Sequence, residues 1–255
     1  MGKTAVITGA SRGIGFATAL ALAKEGFDIA AIALPDPERM KDLQQAVTAF
    51  GRRISSYDLD LAQLEHHVPV IDRVLEDFGS VECLVNNAGV SVLLRGDLLN
   101  VSLESFDRCF DVNTRGTFFF TQAVARHMAT TPAPEESYRS IIFITSSNAV
   151  AATAERGEYC MSKTALSMAC KLFSIRLAQH GIAVFEVQPG LILTEMTAPS
   201  KTKYDDLIAS GMTIEQRWGM PQDVARTVRT MAAGLLPYTV AQDVRVDGGL
   251  LLTRF

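Results

Sequence analysis

Tyr159 and Lys163 lie four residues apart. On a helix this spacing sets both side chains on one face, one turn from each other. A tyrosine with a pKa of about 10 is a poor acid–base group at neutral pH. An ammonium ~4 Å away, at an effective dielectric of ~20, contributes ~4 kcal/mol or ~3 pK units. The pairing is therefore expected to let Tyr159 give a proton to a carbonyl or take one from an alcohol. Nearer the start, Thr8-Gly9-Ala10-Ser11-Arg12-Gly13-Ile14-Gly15 joins an apolar run to a segment of helical period. Gly9 permits a tight turn, Gly13 lets backbone approach a pyrophosphate, and Gly15 allows close packing. The helix that follows offers free N–H groups and a positive dipole end to phosphate. Together these residues offer an acid–base pair and a seat for the phosphates of a dinucleotide.

Such groups need a frame, and the apolar pattern supplies one. Residues 5–8, 29–33, 83–85, 141–145 and 183–187 are short, mainly apolar runs, 54–57 (Ile-Ser-Ser-Tyr) is read as a buried strand with them, and 243–246 is a last candidate strand. Continuous hydrophobicity is what parallel strands covered on both faces require. Helical periods fill 15–25, 37–50, 62–78, 102–129, 158–179 and 221–233. In the first of these Phe16, Ala19, Leu20 and Ala23 share a face. Regular strand–helix alternation predicts an α/β fold, a doubly wound Rossmann-type parallel sheet of about seven strands. No linker rich in Pro, Gly or Ser divides it, so residues 1–255 are expected to form a single domain. Two stretches read as irregular: the polar loop 130–139, and 195–219, expected to act as a substrate lid.

Composition narrows the function. The 255 residues carry 24 Lys and Arg against 28 Asp and Glu, a formal charge of −4 without basic or acidic blocks. That argues against a nucleic-acid partner. The 48% hydrophobic content excludes intrinsic disorder. The longest apolar runs, such as 29–34, fall far below the ~18 residues of a membrane span. Residues 3–8 already read as strand, without signal-peptide architecture, so a cytoplasmic protein is expected. Cys83, Cys109, Cys160 and Cys170 show neither C-x-x-C pairing nor zinc-ligand spacing, and are expected to be reduced, buried thiols with no metal.

The Gly-x-x-x-Gly-x-Gly spacing resembles the short-chain dehydrogenase/reductase family, and further segments agree in order along the whole chain. Asn86-Asn87-Ala88-Gly89 matches the family's NNAG segment, and Asn113 its helix asparagine. Tyr159-Cys160-Met161-Ser162-Lys163 matches Y-x-x-x-K. Pro189-Gly190 with Thr194 matches the segment after the sixth strand, and Val246-Asp247-Gly248-Gly249 the C-terminal end. Thr145, Ser146 and Ser147 all stand at the end of the fifth strand, where open α/β sheets place ligand contacts. The family's thirteen-residue offset to the tyrosine selects Ser146, with Ser147 in reserve.

The resemblance implies a homotetramer paired through helices 102–129 and 158–179. It makes Tyr159 the acid/base, Lys163 the residue that lowers its pKa and holds the nicotinamide ribose, and Ser146 the substrate-orienting hydroxyl. Asn113 would support a proton relay. Gly9, Ser11, Arg12, Gly13 and Ile14 would hold the phosphates; Asn87, Ala88 and Gly89 would flank the adenosine ribose. Asp58, followed by Leu59, matches the adenine-contacting aspartate. Beyond Pro189 and Gly190, Ile192 and Thr194 would fix the carboxamide.

The second strand ends Ile32-Ala33-Leu34-Pro35, without the carboxylate that NAD users place there to pair the ribose hydroxyls. Asp36 comes too late unless the loop folds back. Arg12 could face a 2′-phosphate, so NADP(H) is expected over NAD(H). Arg95-Gly96-Asp97-Leu98-Leu99 and Arg156-Gly157-Glu158-Tyr159 resemble the 3-oxoacyl-(acyl-carrier-protein) reductase-like group. His180, where those reductases commonly show arginine, and the acidic Glu135-Glu136 depart from it. Asn148, in a substrate-facing position by resemblance, suits a sugar, polyol or hydroxy acid together with Arg95, Glu155 and Arg156. Met196, Met212 and Trp218 are candidates to line the lid. The reading from another class is a non-catalytic dinucleotide-binding sensor, against which Ser146, Tyr159 and Lys163 all stand.

Overall fold

The computed structural model describes residues 2–131 and 137–253. Glu135 and Glu136 lie outside the described residues. The first half of the chain runs β1 (Lys3–Thr8), α1 (Gly13–Lys24), β2 (Phe27–Ala33), α2 (Pro37–Thr48), β3 (Ile54–Asp58), α3 (His67–Phe78) and β4 (Cys83–Asn86). The second half runs α4 (Leu103–Phe110), α5 (Thr117–Thr130), β5 (Arg139–Ile144), α6 (Gly157–Leu177), β6 (Ile182–Pro189), α7 (Lys201–Ala209), α8 (Pro221–Ala232) and β7 (Asp243–Val246).

Seven strands pair in the order β3-β2-β1-β4-β5-β6-β7, and every pairing is parallel. Side chains alternate across the sheet, so neighbouring residues of one strand enter different cores. Ala5 and Ile7 face Leu22 of α1, Leu43 of α2 and Val228 of α8. Val6 faces the other way, into the layer of Val74 of α3, Phe120 of α5 and Leu166 of α6. Full burial of an aliphatic side chain such as Ile29 or Leu84 contributes ~1.5–3 kcal/mol. The chain builds β1, β2 and β3 outward, then returns to β4 on the opposite side of β1. A crevice opens at that reversal, beyond the carboxyl ends of the strands, where such sheets bind ligands.

Three segments differ from the sequence expectation. Region 102–129 is not one helix: a π-helical turn, Asp111–Gly116, separates α4 from α5. A Cβ on Gly116 would lie 2.2 Å from the Leu61 carbonyl, so the chain passes too close for a side chain. Thr117 Oγ1 donates to Val112 O at 3.0 Å and supports the widened turn. Region 62–78 opens with a 3-10 turn, Leu64–His66, before α3. Region 195–219 is not irregular throughout, since it contains α7, whose Ile208 is buried.

Candidate active site

The glycine turn is braced from β4. Thr8 Oγ1 accepts the N–H groups of Asn87 and Ala88, each at 3.0 Å. The Asn87 amide donates to Thr8 O at 2.9 Å and Gly9 O at 3.1 Å. Gly9 and Gly13 take φ of +66° and +55°, which side-chain-bearing residues rarely adopt. A Cβ on Gly15 would stand 2.1 Å from the Gly9 carbonyl, so close packing is internal to the turn. No side chain caps α1, whose N-cap is Arg12, and its first N–H groups are left for an anion. This uncapped, side-chain-free cradle fits a dinucleotide pyrophosphate.

From the cradle a cleft of about 630 Å³ runs over β4 and β5. It is lined by Ser11, Ile14, Ala88, Gly89, Pro189, Gly190, Ile192 and Thr194 among others. Asp58 ends β3 exposed, and the wall beside it is formed by Leu59, Asp60, Leu61 and Ala62. Asp36 caps α2, accepting the Arg39 N–H at 3.2 Å.

At the other end, Ser146 follows β5 and Tyr159 and Lys163 sit in the first two turns of α6. The Ser146 hydroxyl lines the cleft beside the Tyr159 phenol and accepts the Asn148 N–H at 3.1 Å. Lys163 Nζ donates to Ile144 O at 3.0 Å. Burial raises the Tyr159 phenol above its ordinary value, against the Ser146 hydrogen bond and the Arg156 charge, which lower it. The expected net depression by Lys163 is therefore corrected: burial outweighs the groups that lower the phenol, and the cation among them is Arg156. Burial also pushes Lys163 down to about 8, opposed by Glu186 and then Cys109.

Asn113 lies in the π-helical turn and is fully buried. Its Oδ1 accepts the Val90 N–H at 2.8 Å, while Nδ2 donates to Val90 O and Ser162 Oγ, each at 3.0 Å. A Cβ on Gly89 would stand 3.1 Å from Asn113 Oδ1 and 3.3 Å from Lys163 Nζ. Gly89 thus lets the amide and the ammonium both come close to one backbone position.

The model of the short chain dehydrogenase family matches residues 3–205. The chain belongs to that family. This short-chain dehydrogenase is an oxidoreductase that passes hydride between a nicotinamide cofactor and a carbonyl/alcohol pair. It is 31% identical over 256 residues to 2-dehydro-3-deoxy-D-gluconate 5-dehydrogenase of Dickeya dadantii, covering 98% of this chain and 96% of the relative. It is 30% identical to 3-oxoacyl-(acyl-carrier-protein) reductase of Staphylococcus aureus, over 99% of both chains. The crystal structure of 3-oxoacyl-(acyl-carrier protein) reductase from Brucella melitensis, in complex with NAD, superimposes with a TM-score of 0.96. That likeness has 38% sequence identity and covers 100% of this chain and 99% of that one.

Two parts of the dehydrogenase's site escape motif reading. Arg39, in the first turn of α2, joins Arg12 on one carboxylate: Glu195 Oε2 accepts from Arg12 at 2.8 Å and Arg39 at 3.1 Å. A basic residue three positions after Asp36 is the only sequence signal for it. Glu186 of β6 is 1% exposed yet accepts from Thr145 Oγ1 at 2.6 Å, Ser167 Oγ at 2.7 Å and Gln188 Nε2 at 2.9 Å. Two polar residues alternating through an apolar strand, Glu186 and Gln188, were its signal. Met196 lines the cleft, whereas Trp218 Nε1 donates to Asp205 Oδ1 at 2.7 Å and braces α7. The four cysteines are free and buried. No cluster of three or more His, Cys, Asp or Glu able to hold a metal occurs among the described residues.

Proposed function

We propose that this dehydrogenase works with NADP(H), with Tyr159 as proton donor, on a small polar carbonyl compound or its alcohol. The observation that carries the reaction is that Ser146, Tyr159 and Lys163 line one end of the same cleft, with Lys163 Nζ donating to Ile144 O at the carboxyl end of β5. When bound, the nicotinamide supplies or accepts the hydride. Tyr159, kept protonated by burial, gives its proton to the substrate oxygen as charge develops there, which favours reduction. Ser146 donates a hydrogen bond to the same oxygen and fixes its distance from the phenol. Lys163 holds the nicotinamide ribose. Asn113 supports the return of the proton while holding both backbone groups of Val90.

The cradle residues Gly9, Ser11, Arg12, Gly13 and Ile14 take the phosphates. The 2′-phosphate is assigned to Arg12 and Arg39, which converge on Glu195 and so form a seat for an anion. Asn87 braces the turn, while Ala88 and Gly89 flank the ribose. Leu59, beside Asp58, packs on the adenine. Pro189, Gly190, Ile192 and Thr194 face the carboxamide, and 195–219 closes over the substrate. Arg95, Asn148 and Arg156 at the mouth favour a sugar, polyol or hydroxy acid over a 3-oxoacyl thioester.

No helix among the described residues is long and apolar enough to cross a membrane, in keeping with a cytoplasmic enzyme. A homotetramer is supported by a stripe on α6, where Met161, Met168, Leu172 and Ile175 are 46–78% exposed. Leu103 of α4 and Phe119 of α5 are exposed apolar residues as well.

The test is fluorescence titration of the purified protein with NADPH and NADH, followed by Tyr159→Phe. A preference of tenfold or more for NADPH, ~1.4 kcal/mol, is expected. Tyr159→Phe is expected to keep that affinity and lose ~10²–10⁴-fold in carbonyl reduction. Equal or tighter NADH binding would refute the cofactor assignment, and a fully active Phe variant the assignment of Tyr159.

A further inference from the structure

We infer that the substrate carries a carboxylate, received by a built subsite of Arg156 and Asn148 with Arg95 beside them. This rests on the oxidoreductase reading of the same cleft and adds the chemical class of its substrate.

Arg156 ends the 3-10 turn Ala154–Arg156 and forms the N-cap of α6. Three residues before the acid/base, it is carried back over the reacting group. Its guanidinium carbon lies 5.2 Å from the centroid of the Tyr159 ring, and the side chain is half-buried. Arg156 Nη2 donates to Asn148 Oδ1. The Asn148 amide is held in that orientation because its Nδ2 donates to Ala151 O at 3.0 Å. The guanidinium is thus fixed from two sides, by an aromatic ring and an amide oxygen. A planar guanidinium has five N–H donors in a fork that matches a carboxylate, and Asn148 occupies only part of it.

The surrounding charge is out of balance. The Gly96 N–H donates to Glu155 O at 3.3 Å and brings Arg95 to the same mouth. Glu155 is the nearby acid, but its carboxylate is already held by Lys203 of α7 at 3.1 and 3.2 Å. Both arginines also favour its ionised form. Three cations therefore surround one carboxylate. Among the described residues neither Arg95 nor Arg156 has a carboxylate within ion-pair distance. A second carboxylate, brought by the substrate, completes the cluster.

Depth distinguishes a substrate group from a carrier protein. Arg156 is stacked on the catalytic ring, so its anion belongs to the molecule whose carbonyl meets Ser146 and Tyr159. A carrier's acidic helix would remain at the rim, among exposed residues such as Lys203. The geometry calls for a short oxo acid or hydroxy acid whose carboxylate is a few bonds from the reacting carbon.

The experiment titrates the protein–NADPH complex with gluconate and with hydroxybutyrate, each against its methyl ester, following NADPH fluorescence. At least one acid is expected to bind tenfold or more tightly than its ester. Arg156→Gln is expected to erase that difference while NADPH affinity stays unchanged, and Arg156→Lys to restore part of it. Acid and ester binding alike, neither acid binding, or a difference that survives in Arg156→Gln overturns the carboxylate subsite. Each of those results leaves the oxidoreductase reading intact as long as NADPH binds. Failure of the wild-type protein to bind either nicotinamide cofactor counts against that reading instead.

Discussion

The Thr145 hydroxyl donates to the buried carboxylate of Glu186 at 2.6 Å. Thr145 stands between Ile144, whose carbonyl receives Lys163, and Ser146, which meets the phenol. One buried anion on β6 therefore fixes the strand end that presents both groups. Its charge also counters the burial that pushes Lys163 down to about 8. As pH rises through that value Lys163 loses its proton, so kcat/KM is expected to fall about tenfold per pH unit above it. Glu186→Gln removes the opposing charge and should shift this limb to lower pH. A limb unmoved in that variant would mean that Glu186 acts on the strand alone.

Arg12 and Arg39 share Glu195. A cofactor 2′-phosphate has to replace that carboxylate, so Arg39→Ala is expected to weaken NADPH binding tenfold or more, ~1.4 kcal/mol, and spare NADH. Glu195→Gln should tighten NADPH, because the phosphate no longer displaces or faces a negative group. All three side chains are at least one-third exposed, so added salt should narrow the difference. Titrations at two salt concentrations measure both effects.

Asn113→Ala strips Val90 of the partners to both backbone groups and leaves Ser162 Oγ with its bond to Tyr159 O. Each polar group left unpaired costs ~1–3 kcal/mol when buried, toward the lower end for the half-buried Val90. Urea unfolding is expected to show a loss of ~2–4 kcal/mol. Asn113→Asp keeps the acceptor for Val90 N–H but not the donor, so its loss should be intermediate. A fully stable Ala variant would show that water replaces the amide.

Ile175 is 78% exposed on the apolar stripe of α6. Placing a charge there in an assembled protein would bury it without a partner. Ile175→Glu is expected to convert the wild-type assembly to smaller species on light scattering, with NADPH affinity retained. An unchanged mass would remove α6 from the interface.

Much of this arrangement can be read from residue order. Strands buried on both faces are continuous apolar runs, so β1 and β5 stand out, and motif spacing brings Ser146, Tyr159, Lys163 and Asn113 to one place. What cannot be read is set by contacts between distant segments. The π-helical turn depends on Gly116 passing the Leu61 carbonyl, and no local period announces it. α7 buries little beyond Ile208, so its apolar period is faint. Tyr159's acidity is not legible from spacing, which gives the neighbour's charge but not the desolvation of the phenol. Arg39 and Glu195, 156 residues apart, meet only in the folded cleft.

The brace between Thr8 and Asn87 also sets when the protein gains its affinity for dinucleotides. The hydrogen bonds at the glycine turn join residues 78 to 80 positions apart. Closing a loop of that length has an entropic cost that must be met before the contacts can repay it, which slows folding. On the ribosome, a nascent chain that has not reached β4 carries the whole glycine signature without the cradle. In refolding, recovery of dinucleotide binding therefore marks the joining of β1 to β4, an event of the central sheet rather than of the loop that bears the motif.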